Sequence, residues 1–385
     1  MSQWSPKASI IIPTYNRARY SPEAVESALS QTYPNIEVIV VNDGSTDDTE
    51  QVLTSYMKHI CYIKQENGGC AAAKNRGLEV AEGEFFNLLD DDDRIHPEKI
   101  QRQIEAFQKK PNLGIVATAI NLISEKGEIT GCFIPPLIGP ETQVLQILRR
   151  CLINQSSALF HRRCYEKLGG FRQDHSDDYD FWMRASLHYP IQILPEILTD
   201  YRLHPNQLTK KNHAHIRAES ARLVGDLIQQ TPINQIIPGI CSYPEGYTLL
   251  GLILCEKKSY ALAQTYFEYA LPTPAGYFGL GLLKLHERKF EQAITHFEQA
   301  RTPHSPFVSK VEEAFLLMER VQALQRKGDP NTSPEVVKLR KDLSQFHASV
   351  FRQLLLLARG ESGQSLNPTH LSAASVEDES VSPNN

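Results

Sequence analysis

What this chain lacks narrows its function before any motif is read. It has no Lys/Arg-rich block and carries a formal net charge of −5, which makes nucleic acid a poor partner. No stretch of Leu, Ile and Val exceeds four residues, 354–357 among them, far short of a transmembrane span. The N-terminus shows no basic-then-apolar stretch, which speaks against a secretory leader. Seven scattered cysteines (Cys61, Cys70, Cys132, Cys151, Cys164, Cys241 and Cys255) include no CxxC pair. They read as reduced thiols rather than disulfides or zinc ligands. The expected location is the cytoplasm, either soluble or peripheral at the inner face of the membrane. Glycine is absent from Pro13-Thr14-Tyr15-Asn16-Arg17-Ala18, where a sugar nucleotidyltransferase needs a glycine-rich loop.

What is present is an ordinary globular composition. The 385 residues are 41% hydrophobic and 22% charged, enough for two or three domains. Over the first 120 residues, short β-branched runs alternate with helical patterns. Residues 8–12 form a strand closed by Pro13. Ser21-Pro22-Glu23 sets a cap residue before an N1 proline and opens a helix through Val25 and Leu29. Strands follow over 36–41, 59–64 and 85–89, and helices over 46–56, 71–81 and 97–107. This alternation predicts a doubly wound, mostly parallel α/β sheet whose loops share a pocket at one edge. Further on, the pattern predicts a strand at 115–117 and a hairpin around Glu125-Lys126-Gly127. Helical patterns at 141–151, 164–168 and 178–188 flank a strand at Leu159-Phe160.

From about residue 216 only helices are expected. Tyr247, Leu250, Gly251, Ala263, Phe267 and Ala270 recur 30 residues on as Tyr277, Leu280, Gly281, Ala293, Phe297 and Ala300. Aromatic, then Leu-Gly, then Ala-x3-Phe resembles the tetratricopeptide helix pair, with small residues letting helices close on one another. The expected divisions are 1–215, tetratricopeptide-like repeats over 216–303, helices over 304–358 and a disordered tail over 359–385. The repeats either cap the first domain or bind a protein partner.

Chemistry concentrates where strands end. Asp90, Asp91, Asp92 and Asp93 follow the apolar run of the fourth strand. Adjacent carboxylates at that edge repel unless a cation neutralises them, and hard oxygen donors suit Mg²⁺ or Mn²⁺. Tyr15 after the first strand can stack on a flat base, and amides of the following helix can meet phosphate. Asp43, ahead of Gly44, can accept from a pyrimidine N3–H or simply make an Asx turn. Asn67-Gly68-Gly69 with Lys74-Asn75-Arg76 offers a flexible loop and cations for a diphosphate. In Asp177-Asp178-Tyr179-Asp180-Phe181-Trp182 the aromatics anchor a helix and leave its acids at the N-terminus, where the dipole keeps them ionised. Tyr201-Arg202-Leu203-His204 adds an imidazole able to ligate a metal.

In this order these segments resemble the family-2 glycosyltransferases, inverting nucleotide-sugar enzymes of the glycosyltransferase A fold, over residues 7 to 206. Ile10-Ile11-Ile12-Pro13-Thr14-Tyr15-Asn16-Arg17, Val41-Asn42-Asp43-Gly44-Ser45, Leu89-Asp90-Asp91-Asp92-Asp93, Gly169-Gly170-Phe171 and Asp177-Asp178 carry the resemblance. It implies a nucleotide-sugar donor held by Pro13, Thr14, Tyr15, Arg17, Asp43, Gly68, Lys74, Asp90 and Asp91. It implies a divalent metal (Mn²⁺ or Mg²⁺) on Asp92, Asp93 and His204, and Asp178 as general base. The acceptor would be a saccharide or a lipid-linked saccharide, met by residues 131–176. UDP is the default nucleotide because Asp43 suits uracil, with dTDP and GDP open. Two departures stand out: Lys74 where the family has arginine, and Asp177 where it has glutamate. The rival readings are an inactive sugar-transferase-like scaffold and a sugar nucleotidyltransferase.

Overall fold

The computed structural model describes residues 5–173, 176–207, 212–302, 305–327 and 333–360. The chain divides into two compact units, 1–220 and 221–385. The expected disordered tail falls, after Gly360, outside the described residues.

The first unit is built on a nine-stranded sheet in the order β3-β2-β1-β4-β8-β6-β9-β5, with β7 paired to β6. Its strands are β1 (Ala8–Thr14), β2 (Ile36–Asn42), β3 (Cys61–Lys64), β4 (Phe85–Leu88), β5 (Arg94–Ile95), β6 (Ile115–Ile123), β7 (Ile129–Phe133), β8 (Leu159–His161) and β9 (Ile191–Arg202). The helices are α1 (Ser21–Leu29), α2 (Thr49–Leu53), α3 (Cys70–Val80), α4 (Lys99–Lys109), α5 (Gln143–Arg149), α6 (Arg162–Leu168) and α7 (Asp177–Ser186). From β3 to β4 every pairing is parallel, as the alternating pattern predicts. Past β4 the sheet is mixed: β8 runs antiparallel to β4 and β6, β9 parallel to β6, and β5 antiparallel to β9.

All seven residues of β1 are buried, since both faces of this strand are covered. Ile10 and Ile12 join Val38, Val40, Val25, Ile100 and Ile104 in the core. On the other face Gly77 of α3 lies against Ile11 so closely that a Cβ would sit 2.3 Å from its Cγ2. The hairpin between β6 and β7 turns on Gly127, at φ +85.

In the second unit α8 (His213–Gln230), which spans the division, is followed by α9 (Ile233–Ile236), α10 (Tyr243–Glu256), α11 (Tyr260–Tyr269), α12 (Pro274–His286), α13 (Phe290–Ala300), α14 (Val308–Lys327) and α15 (Pro334–Arg359). The 30-residue echo maps onto two helical pairs, α10/α11 and α12/α13. Gly251 and Gly281 face the Phe of their own pair: an added Cβ would stand 2.4 Å from Phe267 and 2.5 Å from Phe297. Gly279 of the second pair closes on Phe267 of the first, at 2.3 Å for the same test. The glycines thus set how near the helices come, and each phenylalanine fills the groove they leave. Cys241 and Ser242 donate to the carbonyl of Ala358, tying the end of α15 to the start of α10. Among the described residues no helix is long and apolar enough to cross a membrane.

Candidate active site

Register fixes what stands together at the sheet's carboxyl edge. Thr14 pairs with Asn42 and Ile11 with Leu88, so Tyr15, Asp43 and the four aspartates leave the sheet side by side. Pro13 and Thr14 are the last residues of β1 and are buried. The loops after β1 and β2 are stitched together. Asn16, at φ +54, accepts from the Thr46 amide at 2.8 Å, and the Arg17 amide donates to Thr49 Oγ1 at 2.9 Å. The Tyr15 amide donates to Asp91 Oδ2 at 3.3 Å, while its ring stays 44% exposed and open to stacking.

Asp43 is buried, and its carboxylate clamps the loop before α3. Oδ1 accepts from Gln65 Nε2 (2.7 Å) and the Gly68 amide (2.9 Å), and Oδ2 from the Gly69 amide (2.8 Å). A carboxylate has about four acceptor positions, so one remains open.

The acidic block is not four equal ligands. Asp90 Oδ1 accepts from Gln155 Nε2 at 2.6 Å. Asp91 Oδ1 lies 3.5 Å from Arg17 Nε, and Asp92 Oδ2 lies 3.9 Å from it. Arg17 Nε and Gln155 Oε1 are buried with no hydrogen-bond partner among the described residues, which leaves polar capacity open at the cleft. Asp92 Oδ2 stands 2.8 Å from His204 Nε2. Asp93, grouped with Asp92 on the sequence, faces into the fold. It is fully buried, and its two oxygens accept from Ser156 Oγ (2.6 Å) and the Arg202 amide (2.9 Å).

Arg202 is itself buried and donates to the Asp92 carbonyl and to Glu23 Oε2. Strand β9 delivers it, because its pairing with β5 lays residues 199–200 against Arg94 and Ile95 immediately after the aspartates. Sequence reasoning passes over Gln155, Ser156 and Arg202. Their only signal is the small polar run Asn154-Gln155-Ser156-Ser157 and a place inside the Tyr-Arg-Leu-His segment.

Helix α7 brings its acids near Asp90 at this edge. Phe181 and Trp182 are buried, with Phe181 stacked on Phe171 at 4.6 Å. Lys74 of α3 does not lie open to a diphosphate here. Its Nζ is 2.9 and 2.7 Å from the two oxygens of Asp177, and both side chains are buried. Asp178 Oδ1 accepts from the Tyr179 amide at 2.7 Å, and its Oδ2 has no partner among the described residues. Asp43, Gly68, α3, Lys74 and Asp177 therefore form one connected path from the loop after β2 to the start of α7.

Burial pushes the Asp178 carboxyl up to about 6, with Asp177 adding and the Lys74 ammonium opposing. Burial likewise raises Asp90 to about 7, opposed by Lys74 and reinforced by Asp92, Asp178 and Asp177. Asp91 and Asp93 are raised well above the carboxylate range, first by burial and then by Asp92. Among the described residues no three His, Cys, Asp or Glu side chains gather as a metal cluster. Two donors do converge, Asp92 Oδ2 and His204 Nε2. Mg²⁺ and related ions commonly take one or two carboxylates from protein and complete their shell with water and substrate phosphates. A divalent cation thus fits this pair as a site that a ligand would finish.

Arg162 and Arg163 are spent on backbone carbonyls. Arg162 donates to Gly83 and Ala81, and Arg163 to Pro111 and Leu113. All seven cysteines are free thiols.

Residues 9–169 match the family described as Glycosyl transferase family 2. An uncharacterized glycosyltransferase of Rickettsia prowazekii (strain Madrid E) is 38% identical over 212 residues, 54% of this chain and 67% of that protein. One from Rickettsia felis is 39% identical over 220 residues, but the match spans only 36% of its length. Chondroitin synthase of Escherichia coli is 30% identical over 233 residues, 57% of this chain and 33% of the synthase. Among solved structures, S. aureus TarS 1-349 in complex with UDP-GlcNAc superposes with a TM-score of 0.52 at 19% identity, covering 93% of both chains. That likeness concerns the fold alone.

Proposed function

The chain belongs to the family-2 glycosyltransferases, and from that premise we propose that it transfers a sugar with inversion from a UDP-linked donor to an acceptor hydroxyl. The supporting observation is the Asp178 Oδ2, which has no partner among the described residues and is held beside the acidic block at the edge where Tyr15 and Asp43 also emerge. In this reading Tyr15 stacks on the base and Asp43 accepts from its N3–H through its open position. Arg17 meets the diphosphate, while the Gly68 and Gly69 amides brace Asp43 beside it. Asp92 and His204 would hold a divalent cation, which when bound would neutralise charge on the departing diphosphate. Asp93 shapes the turn that presents Asp92. Asp178 takes the proton of the acceptor hydroxyl as that oxygen bonds to C1, and the bond from C1 to the diphosphate oxygen breaks. One displacement, with base and leaving group on opposite sides, inverts the anomeric centre.

We propose a saccharide or lipid-linked saccharide as acceptor, in the cytoplasm or at the inner face of the membrane; cell fractionation tests the location. A protein partner at the helical unit is a further proposal, supported by exposed Tyr243 and Tyr269 and tested by cross-linking at those positions. The decisive measurement is UDP release and product anomer for Asp178→Asn. Turnover should fall by about 10²–10⁴ with UDP binding retained. Full turnover would remove the base assignment, and no nucleotide release by the native chain with any UDP-, dTDP- or GDP-sugar would favour the inactive scaffold.

A further inference from the structure

Lys74 is a cation that the donor has little room to reach. It is 3% exposed, and Asp177 engages it at two points, 2.9 and 2.7 Å. Its remaining side is covered by the ring of Phe171, whose centroid lies 5.4 Å from Nζ. An ammonium has three protons, and two are directed at Asp177. A phosphate taking Lys74 would strand a buried carboxylate without its counter-charge.

Asp177 has a second task. Ser176, at the N-cap of α7, makes no side-chain cap bond. Asp177 Oδ1 accepts from the Asp178 amide instead, at 2.8 Å, supplying one of the bonds a helix start requires. The same oxygen therefore ties Lys74 of α3 to the backbone that carries Asp178.

We propose that Lys74 is a positioning residue: its buried two-point ion pair fixes Asp177, which holds the Asp178 backbone so that the Asp178 carboxylate stays presented to the cleft. This rests on Asp178 being the base. Lys74 then serves kcat rather than donor affinity. The charged groups facing Asp178 are Asp177 on its own helix, Lys74 on α3 and Asp90 on the loop after β4. Among these described groups, removing the cation leaves only carboxylates.

The test compares Lys74→Met, Lys74→Met/Asp177→Asn and Asp178→Asn in the full-length enzyme. UDP release from a UDP-sugar gives kcat, and calorimetry with UDP gives Kd. Lys74→Met should lower kcat a hundredfold or more, keep the UDP Kd within twofold and move the acid limb of kcat upward in pH. The double variant replaces the ion pair by a neutral pair in which the side-chain carbonyl at position 177 still accepts the Asp178 amide, so kcat should recover at least tenfold over Lys74→Met. A tenfold weaker UDP Kd in both variants, with no recovery of kcat, overturns the proposal and makes Lys74 a phosphate contact. If Lys74→Met does not fold, the double variant decides by itself: native UDP affinity with reduced kcat supports positioning, and weakened affinity overturns it. Asp178→Asn separates the two failures. Its full turnover removes the base, whereas its loss beside full kcat in Lys74→Met removes only this proposal.

Discussion

At the scale of single residues the site is governed by which carboxylates stay unpaired. In the proposed mechanism Asp178 acts ionised, and burial pushes its carboxyl up to about 6. Below that pH it holds a proton and cannot accept another, so kcat should fall about tenfold per pH unit below pH 6 and level off above it. A rate flat from pH 4 to 8 would contradict the assignment. His204→Ala removes one of the two proposed metal donors, and the Mn²⁺ concentration for half-maximal activity should rise about ten- to a hundredfold, a loss of the size typical of perturbed metal sites. Tyr15, Asp43, Asp92 and Asp178 stand out on sequence because their residue types suit stacking, acceptor and base chemistry, and the register sets the first three at one edge of the sheet. Sequence placed Asp93 with the metal ligands and Lys74 with the donor. Their surroundings differ because each met a nearer partner, Ser156 with the Arg202 amide for Asp93 and Asp177 for Lys74.

At the scale of elements, close approach through glycine fixes where the functional segments lie. Gly77 lets α3 settle on β1, and α3 carries both the loop clamped by Asp43 and the lysine clamped by Asp177. Gly77→Ala drives a methyl into Ile11 and should destabilise the fold by about 1–3 kcal/mol, seen as a lower midpoint in chemical denaturation. Gly251→Ala meets the Phe267 ring and should cost about as much. Strands β1 to β4 were legible as β-branched runs with turn residues between them. Strand β9 carries no clear sequence signal, because Pro195 interrupts it. Its register against β6 jumps from Thr118–Leu194 to Ala119–Ile197, so the alternation that marks a strand is broken. The two-residue strand β5 has no periodicity to detect at all.

For the molecule as a whole, donor and cation should stabilise the fold by binding the native state alone. A UDP-sugar with Mn²⁺ at about a hundred times Kd should add about 2.7 kcal/mol, and a thermal-shift series across UDP-, dTDP- and GDP-sugars should single out the true nucleotide. Equal shifts for all three would remove the role of Asp43 in choosing the base. The sequence by itself determined the α/β unit, the helical pairs with their 30-residue echo, and the family, since each is written in local periodicity or an ordered set of short motifs. Only the tertiary structure decided which acid faces the cleft and which faces the core. That choice depends on partners brought from residues 155–156 and 202–204 by antiparallel strands, and long-range pairing of this kind leaves no periodic trace in the chain.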